Sequence, residues 1–374
     1  MTTLQSVSDD ALISEDVKKS IQEWSADVTA EQRYTETIEE HRRNTRKRLI
    51  FIVVLTVGAI VAMLFSLQSS PLTGNAIECL TYIWQKITGT VDPTDNTAFW
   101  SLYASPPVLG ALIGGAGLAI CGAVMQSILR NPMADPYTTG ISSGASFGAA
   151  LAISSGTLLL ADPNITVIMA FAFSMIPVLV ILAMSKLTNA APVTIIMTGI
   201  GIMYIFNALT SLVKIRIGGS TTAALDNWLM GDVQLVEWDD LLPMLLIVVA
   251  GIVISMYLAS KINILSTGDE NALAMGVNAD RLRIICMLLT AIVSAGVISF
   301  TGLIGFVGLV CPHIARMFVG ADNKYLIPAS AALGSVLMVV GHLIGKTIIS
   351  PTLIPVGIIM SCIGGPVFIW LVIN

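Results

Sequence analysis

Residues 105–128 read SPPVLGALIGGAGLAICGAVMQSI, with no charged side chain among them. Wound as an α-helix at 1.5 Å per residue, such a run reaches about 36 Å and can cross a hydrocarbon core of about 30 Å. Gly110, Gly114, Gly115, Gly117 and Gly122 sit among alanines. Small residues four apart let helix backbones approach closely, so this segment reads as a membrane helix packed inside a bundle.

The rest of the chain agrees. Of 374 residues, 55% are hydrophobic and 11% charged, and the mean hydropathy is +0.83. Soluble domains carry about 25% charged residues, so an ordinary soluble enzyme is excluded, and so is a disordered chain poor in Ile, Leu and Val. A net charge of −5 makes nucleic acid an unsuitable partner. Ten apolar segments are predicted as helices, at about 49–67, 105–128, 138–158, 164–185, 194–213, 241–260, 282–301, 303–318, 326–346 and 355–373. The expected fold is an all-α integral membrane bundle of about ten transmembrane helices, residues 49–374, after a polar tail, 1–48.

That tail holds 8 of the 19 Lys+Arg and 10 of the 24 Asp+Glu. No cleaved leader is expected, because polar residues come first and the basic cluster Arg42, Arg43, Arg46, Lys47 and Arg48 abuts the first apolar run. Basic residues stay cytoplasmic, which places both termini of a ten-span chain inside. Ile13, Val17, Ile21, Trp24 and Val28 share a helical stripe, and Thr29–Gln32 fits a capping box. Two long connections, 68–104 and 214–240, carry Trp84, Trp100, Trp228 and Trp238 and read as interfacial helices on the outer side. Of five cysteines, four lie in apolar segments and Cys79 is expected to be exposed; no spacing suggests a disulfide framework or a zinc site.

No Asp or Glu falls inside the predicted spans. Ion-coupled transporters need such carboxylates, which disfavours a secondary transporter. Gly140-Ile141-Ser142-Ser143-Gly144 matches a nucleophile elbow but opens an apolar helix without partners. Gly341-His342-Leu343-Ile344-Gly345-Lys346-Thr347 has one residue too few between its glycines for a phosphate loop. Neither catalysis nor a nucleotide or metal site is therefore expected in this chain. His313 reads as a packing residue. His342 and Lys346 are four apart and share one helix face, at the outer end.

Three regions carry a family resemblance. They are Gly122–Gln126 with Arg130–Tyr137 and Gly140–Ala145; Gly268–Val277; and Gly302–Arg316, continued by Leu326–Ser330, Leu353–Gly357 and Gly364–Phe368. Together they resemble the permease family of ABC importers for iron–siderophores, heme and cobalamin, from about residue 49 onward. The resemblance implies a dimer of ten-helix subunits, two cytoplasmic ATPases that bind ATP and magnesium, and an external substrate-binding protein, all at a prokaryotic plasma membrane. It implies that Gly268, Asp269, Glu270, Asn271, Ala272, Leu273, Ala274, Met275 and Gly276 form the coupling helix seated in the ATPase. It makes Asn131, Pro132 and Met133 an inner gate, with Ala191–Thr194 as a second, weaker match. Two departures stand out. The family's Arg-x-Pro-Arg is replaced by Ala104-Ser105-Pro106-Pro107, and its Asp and Arg on the ninth helix by His342 and Lys346. Docking of the binding protein is then expected at Lys346 and His342, or at Lys214 and Arg216. A transporter without an ATPase and a non-transporting receptor are the alternatives; neither needs a coupling segment.

Overall fold

The computed structural model describes residues 15–69, 73–92, 94–155, 163–187 and 192–373. The chain divides into two compact units, residues 1–50 and 51–374, and the boundary falls within helix α1 (Glu15–Leu67). Because α1 is continuous, Thr29 lies mid-helix and no helix starts there. The capping-box pattern Thr29–Gln32 is satisfied in sequence only. Ile13 lies outside the described residues.

The second unit is all-helical. After α1 come α2 (Ala76–Thr88), α3 (Asn96–Ile128), α4 (Ile141–Ser154), α5 (Pro163–Leu187), α6 (Pro192–Arg216) and α7 (Gly219–Met230). A 3-10 turn, Val233–Leu235, leads into α8 (Trp238–Ser266), α9 (Asp269–Ala274), α10 (Ala279–Thr301), α11 (Val307–Val319), α12 (Asn323–Thr347) and α13 (Val356–Ile373). Each of the ten predicted segments coincides with a helix. Among the described residues, seven helices are long and apolar enough to cross a membrane. Apolar stretches of α4, α11 and α13 are shorter. The two Trp-bearing connections contain the short helices α2 and α7, while Trp100 and Trp238 belong to α3 and α8.

α3 is the central post. It packs against α2, α8, α10, α11 and α12, and its residues from Ser105 to Ile128 are almost wholly buried. It begins nine residues before the apolar run, at Asn96, because Asp95 caps it by accepting from the amides of Thr97 and Ala98 at 2.8 and 3.2 Å. Gly115 and Gly334 meet where α3 crosses α12; a Cβ on either would strike the other's carbonyl. Gly122 leaves the same room for the Gly308 backbone of α11. These contacts are why the glycines stand where they do. By contrast, Val53, Val54, Val57, Val61 and Phe65 of α1 face outward, more than half exposed. An apolar face like this suits lipid.

Two sequence expectations are corrected. Cys79 is fully buried, since α2 folds down on α3 and the thiol faces the carbonyls of Gly74 and Leu67 at 3.5 and 3.9 Å. Cys362 is the exposed cysteine instead. Arg283, at the start of the predicted span 282–301, has no exposed surface at all.

Candidate functional site: two ends of the bundle

At one end of the second unit, α3, α8, α9 and α10 converge. α8 stops at Thr267, and Gly268 takes φ +125°, a conformation other residues rarely adopt. The six-residue α9 follows, and Gly276 at φ +78° ends it. Asn278 then caps α10 by accepting from the Arg281 amide at 2.9 Å. The whole predicted segment Gly268–Gly276 is thus a short helix bracketed by two glycines. Ala272 roots it in the core, while Leu273 and Met275 are about two-thirds exposed, at 70% and 67%.

Charge fixes α9 to its neighbours. Asp269 Oδ1 accepts from Arg283 Nη2 at 2.9 Å and pairs with Arg130 Nη2 at 3.3 Å. Arg283 Nε also donates to the Ile128 carbonyl, at the last turn of α3, at 3.3 Å, and Nη1 lies 3.6 Å from Asp280. A buried guanidinium is tolerable only when paired and hydrogen-bonded, as here. No sequence signal marks this burial, because Arg283 sits at the polar start of an apolar helix.

The loop after α3 begins with Arg130 in a left-handed conformation at φ +49°. Asn131 Oδ1 accepts from the Met133 amide at 2.9 Å, an Asx turn that exposes Pro132 and Met133. Asn131, Pro132 and Met133 therefore lie next to the segment Gly268–Gly276, joined to it through Arg130. Of the second gate candidate, Ala191 falls outside the described residues, and Pro192–Thr194 open α6.

Further along this loop, Asp135 is 2% exposed. Burial pushes its carboxyl up to about 6, against the opposing hydrogen bonds from Thr138. It lines a cavity of about 720 Å³ with Tyr137, Leu303, Phe306, Leu309, Ile358 and Cys362. Phe306, at φ +66°, starts α11 and its ring packs on Gly364. Sequence reasoning passed over Asp135, since it precedes the predicted span.

The opposite end is built otherwise. Trp238 Nε1 donates to the Leu102 carbonyl at 2.9 Å, tying α8 to α3. Beside it a cavity of about 150 Å³ is lined by Trp100, Tyr103, Ala104, Pro107, Gln234, His342 and Lys346. The structure thus brings both departures from the family pattern, at 104–107 and 342–346, into one pocket. His342 is 3% exposed and Lys346 half-buried. Lys214 and Arg216 lie elsewhere, at the end of α6, where Lys214 pairs with Asp226 of α7.

The comparisons with known proteins decide the family. Residues 58–374 match the model of the FecCD transport family. The chain belongs to that family. It is a membrane permease of the ABC type and a non-catalytic subunit. It is 34% identical over 345 residues to a protein classed as an ABC transporter permease in Methanocaldococcus jannaschii, covering 90% of this chain and 97% of the relative. It is 38% identical over 269 residues to the cobalamin import system permease of Halobacterium salinarum, covering 71% and 70%. Among solved structures it resembles an inward-facing transporter classed as metal-chelate type, with a TM-score of 0.75 and 27% identity, covering 86% of this chain and 98% of that one.

Proposed function

We propose that this FecCD permease is the membrane subunit of an ATP-driven importer for a metal chelate: an iron–siderophore, heme or cobalamin. Two copies enclose the pathway. Two cytoplasmic ATPases, holding ATP and magnesium, seat the coupling segment Gly268–Gly276, and an external binding protein delivers the cargo. Residues 1–48 form a cytoplasmic tail and 49–374 the ten-helix permease domain, with both termini inside a prokaryotic plasma membrane. Asn131, Pro132 and Met133 form an inner gate. The pocket holding His342 and Lys346 receives the binding protein, with Lys214 and Arg216 as the other docking candidates.

The observation that carries this reading is α9. A six-residue helix rooted by Ala272 and its C-cap Met275 present two apolar side chains outward, Leu273 and Met275, at a polar end of the bundle. Leu273 and Met275, so exposed beside charged groups, fit insertion into a groove of a soluble partner. The cargo names of the relatives and of the solved homologue support the chelate class. The test is purification of the tagged chain from membranes, with identification of what comes with it. An ATPase in a two-to-two complex supports the reading; a stable chain alone, without ATPase, overturns it.

A further inference from the structure

We propose that Asp269 is the positioning residue through which the coupling helix α9 holds the loop Arg130–Met133, so that displacing α9 moves that loop. The inference rests on the reading of α9 as the ATPase contact.

One carboxylate oxygen is shared by two unlike cations. Arg283 is immobile: its side chain has no exposed surface, and it is pinned under the Ile128 carbonyl at 3.3 Å. Arg130 is 41% exposed and Asp269 42%, so their contact at 3.3 Å is partly solvated and can open. Arg283 therefore anchors Asp269 to the end of α3, while Arg130 follows Asp269. Arg130 is also the first residue of the loop and holds a left-handed backbone, at φ +49°. A non-glycine residue keeps that conformation only while its surroundings enforce it. The ion pair with Asp269 is such a constraint, and Arg130 Nη1 also lies 3.5 Å from where a Cβ on Gly268 would stand. A shift of α9 that lengthens the Arg130–Asp269 pair removes it. The Asx turn of Asn131 and Met133 begins one residue later, so the relaxation passes straight into the gate candidates.

The test uses the complex with its copurifying ATPase, in nanodiscs, in a Cys362→Ser background. Met133→Cys is labelled with a charged maleimide, with and without ATP and vanadate. The native background is expected to show a several-fold change in labelling rate on nucleotide trapping. Asp269→Asn is expected to bring that ratio to near unity in complex that still carries its ATPase. Asp269→Glu is expected to restore it, and Asp280→Asn to leave it unchanged. A full nucleotide response in Asp269→Asn overturns the proposal. So does loss of the ATPase from that variant, which would make Asp269 a docking residue only, and so does a native background without nucleotide dependence. Leu273→Arg tests the underlying reading separately: if the ATPase still copurifies with it, α9 is not the contact and both fall.

Discussion

On the proposed function both ends of the bundle meet a soluble partner, and they are built by opposite means. At the α9 end, charges are paired and one of them is sunk completely, so the exposed apolar helix is held by ion pairs. At the Lys346 end, aromatic rings and prolines surround a small cavity with a half-buried lysine. The first end joins a buried cation, Arg283, and a partly solvated one, Arg130, through one carboxylate. No arginine lines the second, and its cation is Lys346. A lysine is a point charge on a flexible stem, whereas an arginine fork fixes a geometry.

That contrast can be broken from either side. Arg283→Ala should be the most damaging, because it opens a void and strips the Ile128 carbonyl of its donor; about 3–4 kcal/mol of stability should go, read as a fall in Tm of the purified protein. Asp135→Asn should act in the other direction. The folded pKa of about 6 lies above the ordinary carboxylate value of 3.8. The favourable contribution of the protonated group is therefore complete below about pH 4 and lost as pH rises through 6. The variant should match the parent near pH 4 and exceed it near pH 8 by up to about 3 kcal/mol, seen as a Tm difference that grows with pH. Glu270→Ala with Gly276→Trp should cost only about 1 kcal/mol, for a bulky residue in left-handed backbone. It should nevertheless uncouple ATP hydrolysis from uptake in proteoliposomes; unchanged transport would count heavily against the coupling assignment. Lys346→Ala should change stability by less than about 0.5 kcal/mol. Its effect should appear instead as weaker binding of the external protein, by about fivefold, in a titration of immobilised permease.

Much of the fold was legible, because lipid imposes one requirement that sequence states directly. A run like 105–128 has no charge and no alternative to a helix. What escaped was set by tertiary contact. The start of α3 at Asn96 depends on a cap by Asp95, which polar residues around it conceal. Cys79 looks exposed until α2 lies on α3. The register of a capping box at Thr29 is overridden by helix continuing on both sides. At the coupling segment the glycine brackets could be read, whereas the ion pairs of Asp269 could not, since their partners lie 139 residues before it and 14 after it. Asp135 and Arg283 share a cause: both stand at the edge of an apolar run, where burial depends on the neighbouring helices.

The 13 residues of α11 reach only about 20 Å, two-thirds of the usual hydrocarbon thickness. Its entrance, the turn 302–306, lies against the backbone of Trp228, Gly231 and Gly357 and not against acyl chains. The rest of that crossing is non-helical backbone, tolerated at membrane depth only where protein buries it. Its polar groups find protein partners instead of water: the Gly302 amide donates to the Ile298 carbonyl and the Asp232 amide to the Thr301 carbonyl, each at 2.8 Å.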